Sequence, residues 1–337
     1  MAFISNVPIL MQLTTLRRKL RASEAAFVVL AVIAGVVAGL LTVGQQVIAH
    51  GIQRLFYGVS INRLSALGSI HHPWKLVALP LGGLLMVLFI RWLGRRRAPI
   101  DVVEANALHG GRIPFNDNLV ISAQTILSNG VGASVGLEAA YAQMGGGFAS
   151  ILGQWFALRR NDLRTLVGAG AGAAIGAAFG APLTGAFYAF EIVIGTYSPA
   201  SVAPVMAAAL AAASVTRLIG IDPYLIATTT GRGFSIYEYL AYAALGLVCA
   251  AVGIAIMRLV TFCEQHVQGW KMLAPWRPIV GGLLLIPLAL ISPQTLSAGH
   301  GALHLDLITH PALTFLAIVL ILKIAASVVS LSFGFRG

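Results

Sequence analysis

Between Asn118 and Leu158 the only charged side chain is Glu138, and it follows directly on the glycine-rich stretch NGVGASVG that ends at Gly136. An apolar run begins beside it, so the pattern predicts a helix that starts near Glu138. The first N–H groups of such a helix have no intrahelical acceptor, and that end carries about half a positive charge. It can hold a carboxylate or a small anion, but not both at one spot. Glu138 is therefore either a tethered competitor for a passing anion, released by protonation or by displacement, or a glutamate that caps its helix and does nothing else.

A second isolated carboxylate, Glu191, is the only charge between Thr165 and Thr216 and follows the apolar GAFYAF. It is a second buried acid, a proton-relay member, or simply a carboxylate paired with a backbone donor. Other chemistry finds little support. His71, His72, His300, His304 and His310 lack the cysteine or carboxylate spacing of a metal site and read as structural or surface histidines. Cys249 and Cys263 fall in or near one helix, where a rise of about 21 Å keeps them out of disulfide reach. There is no Walker motif, GxSxG elbow or HExxH, so nothing argues for an ATPase, a serine hydrolase or a zinc protease, and no cofactor is expected. An intramembrane enzyme using Glu138 and a histidine would rest only on ionisable groups at membrane depth.

The elements that must position these carboxylates are membrane helices. Of 337 residues, 58% are hydrophobic and 10% charged, which is outside the range of soluble proteins. Stretches at 25–49, 118–158, 165–216, 236–262, 278–292 and 311–333 approach or exceed the length needed to span a bilayer, and the shorter piece at 76–90 suits a tilted or buried segment. They are apolar throughout rather than alternating, which argues against a barrel and predicts an all-α polytopic protein of roughly eight to twelve helical pieces. The segment GAGAGAAIGAAFGAPLTGAF, Gly168 to Phe187, carries small residues that let membrane helices approach closely. Pro182, preceded by Gly180 and Ala181, breaks it into two helices at about 180–182. Polar connectors at about 50–73, 98–117, 221–235 and 264–277 are too short for a soluble domain.

A formal net charge of +11 would point to nucleic acid in a soluble protein, but here the cations gather at the ends of apolar runs. Arg17, Arg18, Lys19 and Arg21 precede the first run, and Arg91, Arg95, Arg96 and Arg97 follow the second. Two crossings return the chain to the side it left, which is cytosolic by the positive-inside rule. Lipid headgroups, not nucleic acid, are the expected partner. Residues 1–24 are too polar for a signal peptide and read as a cytosolic basic segment, leaving 25–337 as a transmembrane domain of a multi-pass plasma (inner) membrane protein.

SVGLEAAYAQMGGG at 134–147 resembles the GxEGP segment of the CLC chloride channel and proton/chloride exchanger family. GAGAGAAIGAAFGAPLTGAFYAFEI at 168–192 is similar to that family's AAAFNAPLAG segment, which ends in glutamates. APIDVVEANAL at 98–108 resembles the stretch after the family's first anion-site segment, and KIAASVVSLSFGFRG the stretch leading into its third. The resemblance implies a homodimer with one pore per subunit, each subunit an inverted repeat of tilted and broken helices whose N-termini converge on bound anions. It places Glu138 on the gating glutamate and the backbone of Gly136, Leu137 and Ala139 on anion-holding positions. The transported partner would be chloride or a similar small anion.

This chain also departs from the family pattern. RRRAP stands where the family has GSGIP, so Arg96 takes the place of the anion-contacting serine. Ala139 and Ala140 replace the glycine and proline after the gate, and Gly180 replaces an asparagine. The glutamate pair that closes the second segment reads Glu191 then Ile192, and an aliphatic side chain carries no proton. The expectation is therefore channel-like conduction gated by Glu138 rather than strict proton coupling, with an antiporter or a non-conducting anion-binding protein as alternatives. The last residue, Gly337, falls within the third motif, so the second repeat is expected to be incomplete.

Overall fold

The structure, a computed structural model, describes residues 23–59, 64–67, 72–94, 97–220 and 235–337. Twelve α-helices occur among them, the upper end of the expected number. In chain order they are α1 (Glu24–Tyr57), α2 (Ala78–Leu93), α3 (Val102–Leu108), α4 (Phe115–Gly130), α5 (Glu138–Trp155) and α6 (Arg160–Phe179). There follow α7 (Pro182–Tyr188), α8 (Pro199–Leu218), α9 (Ile236–Gly269), α10 (Arg277–Ile291), α11 (His300–Thr309) and α12 (Leu313–Ser332). Six helical stretches among the described residues are long and apolar enough to cross a membrane. The piece expected to be short is one of them, because a 3₁₀ turn at Pro73–Val77 extends α2 to 21 residues.

Two connectors are shorter than their polarity suggested. Helix α1 runs on to Tyr57, and α9 runs through to Gly269. Side chains support the ends of α9: Glu238 Oε2 accepts from the Ser235 N–H at 2.7 Å in a capping box, and Gln268 donates to Glu264 at 2.9 Å. These bonds keep polar turns helical once the chain has left the apolar layer.

The described residues divide into two compact units. The first comprises residues up to Val47, Arg97–Ala123 and Glu138–Leu225. Its centre is α6, buried along nearly its whole length by α5, α7 and α8. In lipid no hydrophobic gain separates one apolar neighbour from another, so close packing must bring helices together. Glycine permits it here: a Cβ at Gly145 would strike the Gly170 carbonyl, and one at Gly172 the Gly185 carbonyl. Helix α6 stops at Gly180, whose φ of 62° forms a left-handed cap, and α7 restarts at Pro182. That is the break expected from the Gly-Ala-Pro sequence.

The second unit comprises Ile48–Arg96, Gln124–Leu137 and Ile226–Gly337. Its buried core draws Leu64, Leu79, Val131, Val135, Leu285 and Phe335 from distant parts of the chain. Helices α2 and α10 cross so closely that a Cβ at Gly83 would meet the Pro278 backbone.

Candidate functional site

Glu138 is the first residue of α5, where the sequence placed it. It is half-buried, as is Ala139, while Leu137 is 4% exposed. The approach to this helix start is an irregular loop from Val131 to Leu137, and Gly132 adopts a φ of 91° within it. Only a residue without Cβ fits there, because a Cβ would lie 2.7 Å from the Tyr57 hydroxyl. Among the described residues no acceptor meets the N–H groups of Gly136 and Leu137. The first-turn N–H of Ala139 has no intrahelical acceptor either. The local geometry is thus a row of backbone donors with a carboxylate on the same few residues, an arrangement able to hold one small anion or the carboxylate in its stead.

A polar network in the second unit fixes the loop. Tyr57 Oη donates to the Val131 carbonyl at 2.7 Å, and Asn129 Nδ2 donates to the Val135 carbonyl at 2.8 Å. Gln53 Nε2 and Asn129 Nδ2 both donate to Ser297 Oγ, at 3.2 and 3.0 Å. The Ser297 N–H in turn donates to the Gly132 carbonyl at 3.1 Å. Ser297 has a φ of 56°, and the ammonium of Lys323 holds its carbonyl at 2.5 Å and that of Thr295 at 3.1 Å. On the far side of the loop the Ser134 N–H donates to Ser330 Oγ at 3.0 Å.

Sequence reasoning passed over these residues. Lys323 left a signal, being the one charge inside the otherwise apolar α12, and intramembrane cations are rarely idle. Tyr188 was missed too. It lies at the end of α7 within electrostatic reach of both Glu138 and Asp101.

Glu191 is exposed, which removes the reading of it as a second buried acid. Helix α7 continues as a π-helical turn, Ala189–Ile194, which rotates the segment and turns the carboxylate outward. There Tyr197 Oη donates to it at 2.6 Å, and this bond, with the Phe190 ring 5.2 Å from that of Tyr197, ties the following connector back to the helix. The carboxylate raises the Tyr197 phenol pKa above its ordinary value, chiefly through this hydrogen bond. Ile192 is 50% exposed beside it.

Arg96 lies outside the described residues, as do residues 1–22 of the basic N-terminal segment. Its neighbour Arg97 pairs at 2.9 Å with Asp117, whose side chain is fully buried and also accepts from the Ile100 N–H at 3.1 Å. At least one arginine of the RRRAP cluster therefore anchors the chain that leads into α3.

Apolar helices long enough to span a bilayer, a helix broken at Gly180–Pro182 and a carboxylate on a helix start define an all-α polytopic membrane protein of the transporter or channel class. The sequence profile of the family described as voltage gated chloride channel matches residues 82–337. The chain belongs to this CLC family. It is 27% identical over 318 residues to the voltage-gated ClC-type chloride channel ClcB of Citrobacter koseri, covering 91% of this chain and 75% of that protein. To ClcB of Escherichia coli O157:H7 it is 26% identical over 315 residues, with the same coverage. Among solved structures, a slow cyanobacterial Cl−/H+ antiporter superposes with a TM-score of 0.75 at 22% identity, covering 92% of this chain and 74% of that one. A CLC-type fluoride/proton antiporter does so with a TM-score of 0.77, also at 22% identity, covering 93% and 76%. The CLC fold and a multi-pass place in the membrane are thereby shown.

Proposed function

We propose that this protein conducts chloride or a similar small anion across the bacterial inner membrane, that Glu138 gates the path, and that conduction is channel-like rather than strictly coupled to protons. The observation that carries this reading is the coincidence, over three consecutive residues, of N–H donors at Gly136 and Leu137 without acceptors among the described residues and the carboxylate that begins α5. Anion and carboxylate compete for the same positive helix end, so protonating or displacing Glu138 opens the site. Ile192 supports the channel-like half of the proposal, since the family's second acid is absent there. Arg96, at the serine position of the first segment, would add a guanidinium near the anion path. Residues 1–24 would form a cytosolic basic segment ahead of a transmembrane domain at 25–337, and two such chains would assemble as a homodimer in contact with lipid headgroups.

Glu191 favours a second reading, a proton/anion antiporter. Held by Tyr197 at 2.6 Å and next in sequence to Ile192, it would then be the proton-relay carboxylate.

Chloride efflux from proteoliposomes, with and without a pH gradient, separates the two. In the channel-like protein Glu138→Gln removes the competing charge and raises flux roughly two- to thirty-fold, the range set by a carboxylate at a helix N-terminus, and no protons move. Proton movement stoichiometric with chloride and abolished by Glu191→Gln would establish the antiporter instead. Absence of flux in both the parent and Glu138→Gln proteins would leave anion binding without conduction.

A further inference from the structure

At one end of the second unit, the C-terminal ends of α2, α9 and α12 and the N-terminus of α10 surround a cavity of about 370 Å³. Two guanidiniums line it, Arg91 from the last turn of α2 and Arg277 from the first residue of α10. Neither is ion-paired among the described residues. Arg277 Nη2 donates to the Gln268 carbonyl at 2.8 Å, but its buried Nε has no acceptor. The Arg91 guanidinium lies 5.7 Å from the centroid of the Trp276 ring, which orients it. No side chain caps the start of helix α10, which follows directly on a 3₁₀ turn at Lys271–Trp276 and carries the positive end of its dipole. Ser332, 5% exposed, adds a hydroxyl with no partner among the described residues. The one acid in the lining, Glu264, already accepts from Gln268, and two arginines against one glutamate leave the cavity net positive.

The depth of the cavity in the membrane selects the ligand. Trp92, Trp270 and Trp276 are 81%, 50% and 47% exposed at the helix ends that surround it. Exposed tryptophans collect at the headgroup level, and a basic pocket between helices at that level suits an anionic headgroup. Below the guanidiniums the wall turns apolar, with Val87, Ile90 and Leu331. We propose that this cavity binds an anionic phospholipid, its phosphate diester held by Arg91 and Arg277 at the α10 N-terminus and an acyl chain laid along the apolar wall. The site does not depend on Glu138 or on anion flux.

Native mass spectrometry of the purified full chain, titrated with phosphatidylglycerol or phosphatidylcholine, tests the assignment. Preferential retention of phosphatidylglycerol is expected. That preference falls about five-fold for each of Arg91→Gln and Arg277→Gln, while Arg91→Lys retains part of it and Arg217→Gln, on α8 in the other unit, retains all. Equal retention of the two lipids, or an unchanged preference in the Arg91→Gln protein, would overturn the proposal. Displacement of the lipid by millimolar inorganic phosphate would overturn the lipid assignment in favour of a soluble phosphate. The exposed position of Arg91 makes its variant safe for folding, and wild-type elution on size exclusion verifies that.

Discussion

Three side chains outside the GxEGP-like segment make claims that experiments can reach. Lys323 holds two carbonyls of residues 2% and 8% exposed, Thr295 and Ser297. Replacing it with methionine leaves both without that donor, at about 1–3 kcal/mol each, so Lys323→Met should lower the unfolding temperature in detergent by several degrees while Lys323→Arg largely restores it. Tyr197 and Glu191 give a pH signature. The phenol pKa is raised in the folded protein, so the stabilisation from the bond is fully present below the ordinary phenol range and is lost as pH rises through the raised value. Glu191→Gln should return the phenol toward its usual titration, seen as the ultraviolet difference between that variant and Glu191→Gln/Tyr197→Phe. The place of Glu138 at a helix start was legible because a lone charge after a glycine-rich stretch stands out. The Lys323 network was not, since its hydrogen bonds join residues 168 and 244 positions apart, Asn129 and Gln53 to Ser297, and no local pattern announces such a partner.

Among the elements, the helix breaks were the most readable. Gly-Ala-Pro at 180–182 encodes a left-handed stop followed by a proline start, and the chain folds that way. The π-helical turn at Ala189–Ile194 could not be read, because its composition is that of any apolar helix and only the outward turn of Glu191 reveals it. Helix ends were misjudged at Tyr57 and Gly269, and near Gly269 the Gln268–Glu264 pair keeps a polar turn helical. The small-residue run was read correctly as a means of close approach, and its cost can be measured. Gly145→Leu places a side chain against the Gly170 backbone, and overpacking of about 1–3 kcal/mol should appear as a lower melting temperature and a loss of monodisperse protein, whereas Gly246→Leu, with open space around it, should be neutral.

For the molecule as a whole, composition was enough for a multi-pass protein, and arginine placement assigns an orientation that labelling can test. With Cys249 and Cys263 replaced by serine, a cysteine at Gly94, just past α2 and beside the arginine cluster, should react with a membrane-impermeant maleimide only when the cytosolic face is exposed. Labelling of intact spheroplasts would reverse the assigned topology. The division into two units, each assembled from three stretches of the chain, was beyond reach, because strand-like or helix-like periodicity describes neighbours in sequence and says nothing of which distant helices share a core.

The crossing of α5 on α6, with backbone against backbone at Gly145 and Gly170, has a kinetic corollary. Two helices in such contact have no side-chain cushion to compress, so α5 cannot slide or tilt without separating from α6. A gate built on Glu138 would then open by rotation about the bonds of one side chain, on the picosecond-to-nanosecond scale, rather than by the microsecond-to-millisecond displacement of helices. Its opening rate should follow the supply of protons and anions, not the fluidity of the surrounding bilayer.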